Sequence, residues 1–349
     1  MDEIKIISEK FFPNRKPGNI QIITGGLIHK TFIISFDRGE TYILQALNHS
    51  VFKDLPGIMD NIQCIAAYLK KNNYPLAILQ PINSRNGLLE KDRFGNYWRA
   101  FPFFENTTVL NKVENPKQAF EAAKAFGLFL KHLHGIDLKK INVTIPNFHN
   151  LKNRIDLFNR ELQKAPNYRR EKAKKEIKIV LMRSTQLKFD FQKMPLRVVH
   201  NDTKISNVLL DKKGEKGVCV IDLDTVMPGY LVTDFGDMIR TMCCTASEEE
   251  INLEKVEIDI EIFKAAAEGF LTPLKTNLTK EEKKNLVAGG AYIIFEQALR
   301  FLTDYLQGDI YYPVQHVDQN LFRAKNQLKL LKSILDKKKE LELIVKGLC

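Results

Sequence analysis

The sequence predicts an α+β protein of two lobes: an N-terminal antiparallel β-sheet with one main helix, then a larger, mostly helical C-terminal lobe. Three observations carry this expectation. β-branched and aromatic runs crowd the first hundred residues, helical spacing takes over after residue 115, and 349 residues suffice for two cores.

The strands come first. Asn19–Ile23 and Thr31–Phe36 flank Thr24-Gly25-Gly26-Leu27-Ile28-His29-Lys30, and the turn Asp37-Arg38-Gly39-Glu40 leads into Thr41–Leu47. Apolar residues at 55, 58, 59, 62, 65, 66 and 69 then mark one face of a helix over Leu55–Lys71. Gly87–Glu90 and Tyr97–Phe103 complete this lobe, so the expected division is 1–104 and 105–349. In the second lobe, Asn115-Pro116 caps a helix that runs to about His134 and stops at Gly135. Short strands follow at Val208–Leu210 and Val218–Leu223. Thr279-x-x-Glu282 is a capping box opening a long helix to near Gly308, and Gln319–Lys338 is the last amphipathic helix.

Composition narrows the function classes. With 44% hydrophobic and 27% charged residues the chain reads as an ordinary folded protein. Its most apolar stretch, Leu286–Phe295, is too short to span a bilayer, and the start Met1-Asp2-Glu3-Ile4-Lys5 lacks a basic region followed by an apolar run. No membrane and no export are expected. Cys64, Cys219, Cys243, Cys244 and Cys349 show no metal-binding spacing and suit a reducing compartment, so the expected location is cytoplasmic. Lysine and arginine exceed the acids by 11, concentrated in 160–193 and 323–346. Neither segment interleaves aromatics at base-stacking spacing, so they read as solvated helix faces with no nucleic-acid partner, while the positive field favours an anionic ligand.

The chemistry gathers in residues 196–240. Leu196-Arg197-Val198-Val199 has the pattern of a buried strand and runs into His200-Asn201-Asp202-Thr203-Lys204-Ile205-Ser206-Asn207. That tight loop carries one carboxylate, Asp202, and one amide, Asn207. Phosphoryl transfer uses such a pair: the carboxylate orients an attacking hydroxyl and takes its proton, and the amide oxygen ligates magnesium on the phosphates. The apolar strand Val218-Cys219-Val220-Ile221 then delivers Asp222, with Asp224 two residues on. Asn207 and Asp222 would give a hard cation its oxygen ligands.

These segments resemble the aminoglycoside phosphotransferase superfamily, and within it the N-acetylhexosamine 1-kinase group. The likeness rests on His200-Asn201-Asp202-Thr203-Lys204, on Val220-Ile221-Asp222-Leu223-Asp224-Thr225-Val226-Met227-Pro228-Gly229 and on Asp234-Phe235-Gly236-Asp237-Met238-Ile239-Arg240. Arg300-Phe301-Leu302-Thr303-Asp304-Tyr305-Leu306 and the helix around Arg323 extend it, so that it covers about Ile22 to Leu331. The resemblance implies a two-lobed protein-kinase-like fold and transfer of the ATP γ-phosphate, with Mg2+, to the anomeric hydroxyl of N-acetylglucosamine or N-acetylgalactosamine. It also implies Asp202 as base and Asn207 and Asp222 as metal ligands. Thr24, Gly25, Gly26 and Lys30 would lie over the phosphates, although Gly-Gly between strands serves equally as a plain turn. Glu105 belongs to the segment between the lobes whose backbone would meet adenine. His29, Asp224, Arg300 and Asp304 are expected on the acceptor side; Arg300 and Asp304 are also spaced for an ordinary i,i+4 ion pair.

Asp234-Phe235-Gly236 imitates the magnesium triplet of protein kinases, yet it lies 32 residues past Asp202 and opens an apparent helix, whereas Asp222 lies 20 past it and ends a strand. Asp234 is therefore expected to cap its helix and brace the catalytic loop. One departure stands out: the third strand places Gln45 where kinases carry a phosphate-holding lysine, and the next helix offers no glutamate. Lys30 is a candidate to restore the charge. The rivals are a kinase of another small alcohol (aminoglycoside, choline, ethanolamine or homoserine) and a non-catalytic nucleotide-binding pseudokinase. A polycationic acceptor should want an acid-rich C-terminal region, and this one is lysine-rich.

Overall fold

The computed structural model describes residues 2–23, 28–37, 39–49, 51–187 and 189–349. A helix that the sequence reading missed, α1 (Asp2–Phe11), opens the chain. It precedes β1 (Pro17–Ile23), β2 (Lys30–Phe36), β3 (Thr41–Ala46), α2 (Leu55–Lys71), β4 (Glu90–Lys91) and β5 (Tyr97–Pro102). The five strands form one antiparallel sheet in the order β1-β2-β3-β5-β4.

Alternation along the strands gives the sheet two faces. Phe32, Ile34, Phe36, Leu44, Trp98 and Ala100 pack against Ile4, Ile7 and Phe11 of α1 as a small separate core. Ile43 and Phe101 face the other way, into the main core, and Gln45 and Arg99 share their side by alternation. Register sets Gln45 directly opposite Arg99. The Asp54 side chain caps α2 through the Gly57 N–H, and the apolar stripe of α2 belongs to the main core.

After β6 (Thr107–Thr108), which pairs with Leu210 and Asp211 much further along the chain, come α3 (Pro116–His132), α4 (Leu151–Lys164), α5 (Asn167–Lys172) and α6 (Lys174–Gln186). Next come β7 (Arg197–Val199), β8 (Val208–Asp211), β9 (Gly217–Val220), β10 (Met227–Gly229) and α7 (Leu231–Met242). The chain closes with α8 (Ile260–Leu274), α9 (Lys280–Gln307), α10 (Gln319–Asp336) and α11 (Lys338–Leu348). The two-lobed α+β architecture expected from the sequence is the one observed.

Two long helices wall the site. The reciprocal Thr279–Glu282 capping box starts α9, and Gly308, at φ 101°, ends it. α7 meets α9 almost backbone to backbone: a Cβ on Gly236 would fall 2.3 Å from the Gly289 carbonyl oxygen. The glycine of the Asp-Phe-Gly triplet is thus a helix-packing glycine. Among the described residues no helix is long and apolar enough to cross a membrane.

Candidate active site

β7 delivers the catalytic loop. His200, fully buried behind it, donates from Nε2 to the Ile221 carbonyl (3.0 Å) and accepts the Asp202 N–H at Nδ1 (3.3 Å). Burial holds its pKa below the ordinary value, and both contacts suit a neutral ring. Asn201 turns the chain at φ 65°. Asp234, from α7, accepts the His200 and Asn201 N–H groups at 2.7 Å each, and its carbonyl accepts the Thr203 hydroxyl. The brace expected of Asp234 is present; the cap is not, because α7 starts at Leu231 and Tyr230 is its N-cap.

Asp202 lies with Lys204 Nζ at 2.8 Å and Asn207 Nδ2 at 2.9 Å from its Oδ2. Burial is the largest single influence and would raise its pKa, but Lys204, His200 and Asn207 together outweigh it and the carboxyl lies below the usual range. Asn207 Nδ2 also donates to the Asp202 carbonyl, so the amide oxygen is the end turned away from Asp202. Asp222, two residues past the end of β9, takes a left-handed conformation (φ 58°, ψ 58°). Its pKa is pushed up to about 6, first by burial and then by the Asp224 and Asp202 charges. A divalent cation would relieve that charge crowding, and the oxygen donors of Asn207 and Asp222 fit a hard one. No cluster of three His, Cys, Asp or Glu forms a metal cage among the described residues. Magnesium suits a site with so few protein ligands, because it keeps water and phosphate oxygens.

Asp224 and His29, expected on the acceptor side, are engaged with each other, and Asp224 also with Arg99. Arg99 pairs bidentately with Asp224 (Nη1–Oδ1 2.5 Å, Nη2–Oδ2 3.0 Å), and His29 Nε2 lies 2.6 Å from Oδ2. The Asn48 N–H donates to His29 Nδ1, which leaves the ring proton on Nε2 to be given to Asp224. Gln45 Oε1 accepts from Arg99 Nε at 2.9 Å, and its Nε2 donates to Thr31 Oγ1. With these partners the Asp224 carboxyl is held far below the usual range, Arg99 being the chief lowering influence against the burial that would raise it. Lys30 is exposed at the start of β2, so the cation beside Gln45 is Arg99 instead.

Beside Asp202 lies a cavity of about 50 Å³ lined by His149, Asp237, Arg240, Glu296 and Arg300, among others. Arg300 is there; Asp304 is not. The Asp304 carboxylate accepts the Ile310, Tyr311 and Tyr312 N–H groups and the Asn320 amide, closing the turn after α9. The i,i+4 alternative fails too, since Arg300 pairs with no carboxylate among the described residues. Its guanidinium bonds Gln297 Oε1 (3.1 Å) and sits 5.5 Å from the Tyr312 ring centre. His149 contacts only acceptors, Glu296 Oε2 (2.9 Å) and the Asn201 carbonyl (3.2 Å), so both ring nitrogens carry protons. Burial is the largest single influence and opposes that charge, but Glu296, Asp237 and the Asn201 carbonyl together raise the His149 pKa. Asp237 Oδ1 accepts from Arg240 Nε (2.9 Å), while the buried Oδ2 has no partner among the described residues.

Sequence reasoning missed Arg99, His149, Asp237 and Glu296. Arg99 reaches Asp224 across 125 positions, and Glu296 reaches His149 across 147, separations no local pattern encodes. Lys204 was within reach of the sequence, two residues past Asp202 on the same loop. Glu105 is exposed in the turn between β5 and β6; Thr24, Gly25 and Gly26 lie outside the described residues.

Comparison with known proteins gives the family and the fold. Residues 19–262 match the model of the phosphotransferase enzyme family. Among solved structures, a microcompartment-associated aminopropanol kinase shares 11% identity at TM-score 0.62, covering 95% of either chain. A spectinomycin phosphotransferase, in complex with ADP and spectinomycin, shares 13% at TM-score 0.60 over 97% of this chain and 98% of its own. An amicoumacin kinase in complex with AMP-PNP and Ca2+ shares 13% at TM-score 0.60, over 97% and 94%. With the family model spanning more than half its length, the chain belongs to the phosphotransferase enzyme family.

Proposed function

We propose that this kinase uses ATP and Mg2+ to phosphorylate the anomeric hydroxyl of an N-acetylhexosamine, N-acetylglucosamine or N-acetylgalactosamine, in the cytoplasm. The observation that carries the choice of acceptor is the charge balance beside Asp202. The cavity sets three carboxylates (Asp202, Asp237, Glu296) against three cations (His149, Arg240, Arg300). A neutral, hydroxyl-rich acceptor meets no net charge there, whereas the ammonium of an amino alcohol would find the three carboxylates already matched by three cations. The free Asp237 Oδ2 accepts from an acceptor hydroxyl or amide N–H, and Arg300 donates to an acceptor oxygen.

Asp202 orients the reacting hydroxyl and takes its proton as the oxygen–phosphorus bond forms in line with the leaving ADP. Positioning and electrostatics supply the catalysis, without a covalent enzyme intermediate. Asn207 and Asp222 would hold magnesium, which when bound neutralises charge on the phosphates. Residues 1–104 would form the nucleotide lobe, with Lys30 on the phosphate side and the backbone near Glu105 at adenine. Residues 105–349 carry the base, the metal ligands and the acceptor pocket.

The test is an acceptor panel read by ADP release: the two N-acetylhexosamines, ethanolamine, aminopropanol, homoserine and an aminoglycoside. The expected result is turnover of the neutral sugars alone, lost in folded Asp202→Asn. Preference for any amine overturns the acceptor assignment.

A further inference from the structure

Gln45 leaves the sheet without its usual phosphate-side lysine, and the face of α2 opposite offers Met59 rather than an acid, its Sδ 4.0 Å from Arg99 Nη1. Both halves of the missing ion pair are present, relocated. The cation has moved one strand over, to Arg99, directly across the ladder from Gln45. The anion has moved to Asp224, on the turn that follows Asp222. A pair that elsewhere joins sheet to helix here joins the sheet to the metal-site turn.

The geometry suits positioning more than phosphate contact. Arg99 is 2% exposed, and its Nε, Nη1 and Nη2 are all engaged, on Gln45 and on both oxygens of Asp224. Only a planar guanidinium can hold those three acceptors at once; an ammonium cannot reproduce the fork. The Asp224 carbonyl accepts from Thr144 Oγ1 at 2.9 Å, so its backbone is fixed as well as its carboxylate. Asp222 sits two residues away in a left-handed conformation, and its direction depends on how that turn is held.

We propose that Arg99, oriented by Gln45, is a positioning residue that replaces the strand lysine: by clamping Asp224 it sets the turn that aims Asp222 at the nucleotide-bound metal. The inference rests on the kinase reading of the same site but not on the choice of acceptor. Partners that orient metal ligands from behind typically change metal affinity or activity roughly 10–100-fold when removed.

Calorimetric titration of ADP into the full chain, with and without Mg2+, tests it separately from turnover. In Arg99→Gln, the gain in ADP affinity on adding Mg2+ should shrink about tenfold or more, with metal-free affinity within about threefold of wild type. Because position 45 faces position 99, Gln45→Lys on the Arg99→Gln background should restore part of that gain; Arg99→Lys alone should not. An unchanged metal-dependent gain in folded Arg99→Gln overturns the proposal. So does an equal loss with and without Mg2+, which would make Arg99 a direct phosphate ligand. If Arg99→Gln does not fold, Gln45→Leu keeps the charge and removes the orienting bond, and an unchanged Mg2+ gain there is equally contrary. Were wild type to show no Mg2+ gain and no kinase activity, the kinase reading itself would fall.

Discussion

Asp234 Oδ1 accepts the main-chain N–H of Asn201 at 2.7 Å, and this bond shows what the Asp-Phe-Gly triplet of α7 is for. With the matching bond from His200 it holds the left-handed turn immediately before Asp202. Removing that carboxylate leaves two buried N–H groups without acceptors. Asp234→Ala should therefore cost about 2–4 kcal/mol of stability, read by urea denaturation. A loss under about 0.5 kcal/mol, the range of an ordinary surface substitution, would show that the loop is held by something else.

Asp222 should behave in the opposite way. Its folded pKa, about 6, exceeds that of a free carboxyl, so the folded state binds this proton more tightly than the unfolded chain does. Stability is therefore lost as pH rises between the two values, and the penalty is complete above about pH 7. Asp222→Asn keeps a side chain that tolerates the left-handed backbone and removes the charge. Without nucleotide or metal, this variant should be more stable than wild type by on the order of 2–3 kcal/mol at pH 8, a gain fading towards pH 4. Its Mg2+-dependent nucleotide binding should vanish. Reduced stability at pH 8 would contradict this account of the crowded carboxylates.

Much of the frame was legible because its signals are local. β1 to β3, α2, α3 and α9 announce themselves through period-two or helical spacing, an Asn-Pro start and a capping box. Asp202 and Asp222 stand out because each comes within three residues of an apolar strand, and Asn207 because it shares the tight loop with Asp202. α1 escaped notice as a ten-residue helix with few markers, and the break between α10 and α11 at Lys337 falls inside an unbroken lysine run. The cavity beside Asp202 was hidden for a different reason. His149 lies in a polar stretch before α4 and Glu296 mid-way along α9, and only the packing of α4 on α9 brings them together. Asp304 shows the converse error: its spacing from Arg300 suggested a pair, but the turn after α9 supplied three N–H donors that hold it first.

Arg300 carries the acceptor side of the proposal. Arg300→Gln should raise the acceptor KM roughly 10–100-fold, the loss of one or two charge-assisted hydrogen bonds, and leave the ATP KM within about twofold. Steady-state kinetics with each substrate varied in turn decides it. A change confined to the ATP KM would move Arg300 out of the acceptor pocket.

The His149–Glu296 pair gives the protein a pH signature of its own. The His149 pKa is raised in the folded state, so its contribution to stability is complete below about pH 6.5 and is lost as pH climbs through the higher folded value. Glu296, lowered by the same partner, contributes above its unfolded value and loses that contribution in acid. Denaturation midpoints of wild type should fall as pH rises above 6.5, and those of His149→Gln should fall less. Parallel slopes in the two proteins would mean that His149 is not the charged partner.

The most direct measurement is the phosphorus NMR spectrum of the product made from ATP, Mg2+ and N-acetylglucosamine by the purified protein. The account predicts a phosphomonoester resonance coupled to the anomeric proton, marking a sugar 1-phosphate. Phosphate on carbon six, or no product from this sugar or N-acetylgalactosamine while an amino alcohol is consumed, would contradict it.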